Sequence, residues 1–288
     1  MNQPGQTEKK PFAHVAQAFA DLSAWTRFFR DAEIPVMAAT AVEIERLRES
    51  EKEVSVAMLA EVIETDPLMM LKLMAYVASR RRPGVTTDTE TVTSSLVLIG
   101  VPPFFNSFGP QPTLEDRLAD QPAALEGLQA LLKRAQRSSR FALGFAVHRR
   151  DPDADVISQA AFLYDFAEML LWCHAPDLVL RIHAAQAADP ALRSAQIQRA
   201  VLHVELDDLR QELLKLWRMP ELLVRICDGR HPDLPAVRNV VLAARLARHT
   251  SHGWDNAALP DDISDIAVLL NASPRVVLPF IRKIDISG

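Results

Sequence analysis

The sequence predicts an all-α protein. Leu and Ala recur along its whole length, while only 9 Gly and 2 Tyr occur in 288 residues, a balance that favours helices over sheets. Apolar residues return at spacings of three and four, the period of a helix with one buried face. No alternating apolar–polar run bounded by hairpin turns interrupts that pattern.

Residues 1–11 (MNQPGQTEKKP) are polar and expected to be disordered. They lack the apolar core of a signal peptide, and no uninterrupted apolar run reaches the roughly 20 residues that span a bilayer. A cytoplasmic protein is expected. Residues 12–30 carry Phe12, Val15, Phe19, Leu22, Trp25, Phe28 and Phe29 at helical spacing. Such a stripe predicts a helix docked on the body rather than one offering aromatics to a partner.

Pro35 precedes a helix through Val42, Ile44 and Leu47. Ser55 caps a second, through Leu59, Val62 and Ile63. Asp66-Pro67 places a carboxylate at the N-cap and a proline at the first helical position, so a third helix runs from there to about Ser79. Thr93 or Ser94 opens a short helix closing at Leu98-Ile99-Gly100. Residues 101–121 (VPPFFNSFGPQPTLEDRLADQ) are rich in proline and turn formers and read as a connection between subdomains. Phe104, Phe105 and Phe108 are expected beneath it, with exposure to a partner as the alternative.

Pro122 starts a long helix that ends before Asp151-Pro152. Residues 158–175 (SQAAFLYDFAEMLLWCHA) read as one helix apolar on nearly every side, buried in mid-bundle. Its two charges, Asp165 and Glu168, share a face. Residues 176–188 form the next helix, and Asp189-Pro190 repeats the cap-plus-proline start. Pro220 divides LLKLWRMPELLVRICDG into two helices. Three more, over 237–250, 261–270 and 273–284, complete the chain. The expected units are 12–109, an N-terminal helical subdomain; 110–121, a linker; and 122–288, a second helical subdomain.

A net charge of -5 argues against a duplex or other polyanion as partner. Cys173 and Cys227 sit in apolar helical contexts outside any CxxC pattern, so buried, reduced thiols are expected. The sequence holds no GxSxG, GxxxxGK[ST] or GxGxxG motif. In Arg80-Arg81-Arg82-Pro83-Gly84, three like charges suit a solvated turn, with an anion or partner contact as the alternative.

An ordered series of residues resembles the HDOD family, the HD-related output domain of bacterial signalling proteins. Ile63, Asp66, Pro67, Leu73, Ser79, Ser94, Ile99 and Gly100 match its N-terminal half in order and spacing, with Ala78-Ser79 where Asn-Ser is usual. LWRMPELL is similar to its W-x-L-P-x-x-I run, and Arg230-His231 falls where a His-His pair is common. The likeness covers roughly residues 24–250, a span of single-domain size. It implies an N-terminal helical subdomain packed on an HD-like one.

The wider HD phosphohydrolase superfamily holds a divalent metal through a first His, a His-Asp pair and a later Asp, which polarises phosphate and activates water. The resemblance places Tyr164-Asp165 at the pair, and a phenol of reference pKa about 10 is a poor metal ligand at neutral pH. KRAQRSSRF, where the first His belongs, has none; His148 lies beyond it. Ala243-Ala244-Arg245-Leu246 stands where an Ala-Asp-x-Leu run is usual, so Ala244 replaces the last ligand. Asp165 alone remains, and it is expected to pair with Arg134, Arg137 or Arg140.

His231, followed by Pro232, is expected at a helix C-terminus, and His249-x-x-His252 in a solvent-facing loop. Tyr164, Asp165, Ala244 and His231 therefore form a vestigial pocket with a degenerate metal site and no cofactor. The resemblance implies a non-catalytic regulatory module acting through protein–protein contact. Its partners would be signalling proteins in trans, cyclic-diguanylate enzymes or response regulators among them, with neither nucleic acid nor membrane involved. The alternatives are a phosphohydrolase with an atypical metal site at Asp165, Glu168 and His231, and a nucleotide sensor using the vestigial pocket.

Overall fold

The computed structural model describes residues 13–80, 90–189, 191–231 and 233–286. They are helical apart from loops and one isolated parallel bridge, between Val36 and Thr113. The expectations for residues 1–11, and for Phe12, Arg81, Arg82, Pro190 and Pro232, fall outside the described residues.

The leading helix α1 (Leu22–Asp31) starts later than its apolar stripe, because Asp21 accepts the Ala24 amide at 2.8 Å and caps it there. Its aromatics dock, as the stripe predicts. Trp25 and Phe29 are buried, the Trp25 indole N–H donates to the Leu202 carbonyl at 2.9 Å, and the Val15 amide donates to the His174 carbonyl at 2.7 Å.

Four helices follow: α2 (Ala38–Glu49), α3 (Val56–Ile63), α4 (Pro67–Ser79) and α5 (Val92–Ile99). The Ser55 hydroxyl caps α3 through the Met58 amide. Asp66 does more than cap α4: one oxygen accepts the Leu68 and Met69 amides, and the other takes the Met37 amide at the head of α2, at 2.7 Å. A single buried carboxylate thus fixes two helix origins. Helix α5 begins earlier than the sequence suggests. Thr91 is its cap, and Ser94 stands at the third helical position as the returning half of a capping box. Gly100, at φ +80°, ends α5 and turns the chain into α6 (Val101–Ser107).

Helix α6 lies in the stretch expected to be a plain connection. Phe104, Phe105 and Phe108 are all buried on it. Arg48 donates to the Phe105 and Phe108 carbonyls at 2.6 and 2.5 Å, meeting the acceptors at the helix end. A short α7 (Leu114–Arg117) sits inside the expected linker, with Leu114 and Leu118 buried and the Leu114 amide bonded to the Val36 carbonyl. Leu114 and Leu118 anchor residues 110–121 to the core, while Pro110, Asp116, Ala119 and Asp120 stay exposed.

The remaining chain winds round α8 (Pro122–Arg149), which packs against α9 (Ala154–Phe162), α10 (Phe166–His174), α15 (Pro235–His249) and α17 (Pro274–Ile286). Between α10 and α15 come α11 (Pro176–Ala188), α12 (Ser194–Leu202), α13 (Leu206–Leu216) and α14 (Glu221–Ile226), with Pro220 dividing the last two; α16 (Leu259–Leu270) precedes α17. Asp189 accepts the Ala191 amide in a turn, and α12 opens at Ser194.

The expected single helix over 158–175 is two, α9 and α10, broken at residues 163–165. The apolar stretch Ala154–His174 is long enough to cross a bilayer, but 78% of its most apolar window is buried in the protein. Phe166, Met169, Leu170, Leu171 and Trp172 of α10 are nearly inaccessible, each worth roughly 1.5–3 kcal/mol of burial. Trp172 lies flush on α8 because residue 127 is glycine; a Cβ there would meet the indole at 2.6 Å.

Candidate functional site

Asp165 occupies the break before α10 and makes no cap bond to the helix it precedes. Its carboxylate turns instead to α8, where the Arg134 guanidinium donates to it at 3.1 Å and to Glu168, one turn along α10, at 3.3 Å. All three side chains are less than one fifth exposed. The second oxygen of Glu168 faces the His183 ring at 3.3 Å. Burial pushes the Asp165 carboxyl up, but Arg134, Arg248 and Arg210 outweigh it and hold the group below the ordinary carboxylate range. Burial likewise disfavours the Arg134 cation, and Asp165 and Glu168 more than restore it. Of the three arginines expected as partners, Arg134 is the one that pairs; Arg137 binds Asp285 and Thr250 instead.

Tyr164 sits beneath Arg210, whose guanidinium lies 4.1 Å from the ring centroid and donates to the Tyr164 carbonyl at 3.1 Å. Burial raises the phenol pKa, so it stays neutral at physiological pH. Its hydroxyl lies against Gly229, where a Cβ would stand 3.0 Å away.

These groups border a cavity of about 700 Å³ walled by α10, α11, α12, α13 and α15. Helix α15 presents Val241, Arg245 and Arg248 to it, at the i, i+4, i+7 positions of one face. Ala244 is buried on α15 but is not on the cavity wall, and neither is His231. The His231 side chain is 65% exposed in the turn after α14, with the Asp228 carboxylate 3.8 Å away. It is therefore no helix-end histidine, and the four residues expected to share a pocket do not. Only Tyr164 and Asp165 meet.

Histidines read as loop residues, or not singled out, line the cavity in their place. The His249 ring pairs through Nδ1 with Asp262 at 2.6 Å, and His252 and His183 line the same cavity. Asp262 is 2% exposed and also holds Arg245 at 2.6 Å. One sequence signal pointed here: Asp262 falls on the apolar stripe Leu259–Ile266, where a carboxylate needs a partner.

Arg80 is exposed, its guanidinium 4.0 Å from the Tyr76 ring centroid. Phe104, Phe105 and Phe108 are buried at 0%, 2% and 3% exposure and offer a partner nothing, which overturns the exposed alternative. Burial pushes both thiols up, Cys227 to about 12, so neither is a thiolate nucleophile at neutral pH.

A divalent ion needs several anionic or imidazole donors converging on one point. Among the described residues no three His, Cys, Asp or Glu side chains do so, and the two carboxylates at the expected place already share a guanidinium. The donor set does not fit a metal.

The family model of the HDOD domain matches residues 34–232, well over half of the sequence. The chain belongs to the HDOD family. Three solved structures share the fold of this HDOD chain. The MmoQ response regulator of Methylococcus capsulatus str. Bath superposes with a TM-score of 0.63 at 17% identity, over 88% of this chain and 99% of its own. A virulence factor of Campylobacter jejuni subsp. jejuni gives 0.60 at 17% identity, over 91% and 98%. An HDOD domain protein from Geobacter sulfurreducens gives 0.51 at 12% identity, over 92% and 94%. No curated protein matches the sequence. The HDOD match begins at residue 34, beyond α1, although α1 packs on α13 inside the matched region.

Proposed function

We propose that this HDOD chain is a non-catalytic bacterial signal-transduction module that acts by binding signalling proteins in trans. One observation carries the reading: the Arg134 guanidinium holds Asp165 and Glu168 together. A fixed cation takes the electrostatic place of an ion, but it has no open coordination position and cannot lower the pKa of a bound water. Tyr164 and Ala244 stand where the resemblance puts the other ligands, and neither side chain supplies one. The fold shared with a protein named a response regulator supports a signalling role. Cyclic-diguanylate enzymes and response regulators are the partners to test first, with neither nucleic acid nor membrane as target.

The test is elemental analysis of the chain after equilibration with Mg²⁺, Mn²⁺ or Fe²⁺, together with a phosphoesterase assay. Sub-stoichiometric metal and no turnover are expected. A stoichiometric ion with turnover abolished by Asp165→Asn would replace this reading with a phosphohydrolase of atypical site. Cross-linked capture from a bacterial lysate that returned no signalling protein above background would also refute it.

A second reading, a pocket for a nucleotide or similar organic anion, is favoured by the cavity itself. Arg248 makes no ion pair with any described residue, and Leu171, Val179, Ile182 and Leu202 give the same cavity an apolar wall. A nucleotide at one hundred times its Kd would stabilise the fold by about 2.7 kcal/mol, readable as a rise in Tm that Arg248→Ala removes.

A further inference from the structure

A second and larger hollow, about 950 Å³, lies between α5 and the α8–α9 pair. Helix α5 buries Val92, Ser95 and Leu96 and leaves Val97 and Leu98 outside, at 67% and 58% exposure. Across the hollow, Leu143 of α8 is 37% exposed, and Val147 continues its stripe one turn on at 62%. Single exposed aliphatic residues are ordinary; two facing helices that both turn them into one hollow, over a floor of Met70 and Phe162, are not.

The polar atoms of the floor are satisfied within the protein. The Ser139 and Ser158 hydroxyls lie 2.9 Å apart, and the Gln159 carbonyl accepts the Val92 amide. What the hollow leaves unanswered is charge. Glu64 and Asp155 both line it, and neither forms an ion pair with a described residue. Partial burial first, and the neighbouring Asp155 carboxylate second, push the Glu64 carboxyl up.

We propose that this groove docks a helix of a partner protein, aliphatic on the face it inserts between α5 and α8 and carrying Lys or Arg alongside to answer Glu64 and Asp155. Charge complementarity selects that occupant over an acidic peptide or an anionic membrane surface. The mode is helix-in-groove recognition, read through anchors at i, i+4 and i+7. It rests on the protein-interaction reading above and gives it a surface.

The probe is a labelled Ala-based helix of about 16 residues with Leu anchors on one face and flanking Lys, long enough to be helical alone. Its control has every Lys replaced by Glu. Binding to the full chain is followed by fluorescence anisotropy and amide chemical shifts. The Lys peptide should bind, shifting amides in α5 and in residues 139–147, and the Glu peptide should bind at least about tenfold more weakly. Leu98→Asp, Leu143→Asp and Glu64→Lys should each weaken the Lys peptide by about tenfold or more with Tm unchanged, since all three positions face solvent.

The groove is refuted if the Lys peptide does not bind, if the variants bind it equally, or if the shifts lie elsewhere. It is also refuted if Leu98→Asp instead abolishes self-association of the chain or its pelleting with phosphatidylglycerol vesicles. Capture of signalling proteins undiminished by Leu98→Asp would overturn the groove while leaving the interaction reading intact.

Discussion

Replacing Arg134 by Met keeps most of the side-chain volume and removes the charge that Asp165 and Glu168 share. Both carboxylates are less than one fifth exposed, so water does little to replace the lost guanidinium. Breaking a buried pair by removing one member costs about 3–5 kcal/mol. The pair borders an open cavity, which places the expected loss near 3 kcal/mol. For a chain of this size that lowers Tm by about 5 °C.

The pH dependence follows from the direction of the Asp165 shift. Its pKa is lower folded than unfolded, so its contribution is fully present above the unfolded value near 4 and fades as pH falls through the folded one. In Arg134→Met the carboxyl rises and takes up a proton at a higher pH, which relieves the repulsion. The penalty should therefore be largest at pH 7 and shrink towards pH 4.5. Urea unfolding of both chains at the two pH values measures it, and adding Asp165→Asn to the Met variant should restore part of the loss. A penalty below about 1 kcal/mol at pH 7, or one equal at both pH values, would refute the argument that Arg134 neutralises this site.

Four further substitutions test the scaffold. Burial first, and Arg117 second, lower the His174 pKa to about 3, so the unfolded chain takes up a proton that the folded chain refuses and stability falls as pH drops below about 6.5. Between pH 7 and 4.5 this residue should account for roughly 2–3 kcal/mol of the loss, and His174→Gln should flatten the profile of urea midpoints by that amount. Gly127→Ala should destabilise by about 1–3 kcal/mol despite its better helix propensity, because its Cβ meets the buried Trp172 ring. Gly144→Ala, which meets only the end of Ile284, should cost less in the same thermal melts. Asp66→Ala should cost about 2–4 kcal/mol by chemical denaturation, since it frees the amides of two helix origins at once.

Local chemistry was the legible part of this sequence. Asp66-Pro67 and Ser55 mark helix starts that the coordinates place there, because a cap and its acceptor lie within three residues. Thr91 was missed because Thr93 and Ser94 offer the same chemistry nearby, and only the reciprocal bond from Ser94 decides among them. The break at residues 163–165 was invisible because apolar residues continue across it and no Gly or Pro marks it. The Asp165–Arg134 pair was within reach, since a carboxylate in so apolar a stretch needs a cation and Arg134 was one of three arginines expected to supply it.

The His249–Asp262 and His183–Glu168 contacts were not foreseen. Each joins side chains 13 or 15 positions apart on different helices, and no local rule fixes how those helices approach. His231 misled for the opposite reason: its sequence position fits a family pattern, while its side chain faces solvent.

The docking of α1 has a practical consequence. Trp25 reaches the Leu202 carbonyl, the preceding segment bonds to His174, and Phe28 and Phe29 set their edges against the same imidazole. A fragment trimmed to the recognised family boundaries would uncover these contacts on α10 and α12, together with the α13 face on which α1 packs, and leave an apolar scar on the second half of the chain. The smallest piece that folds without aggregating should begin ahead of Val15, so boundaries drawn from family resemblance are the wrong place to cut.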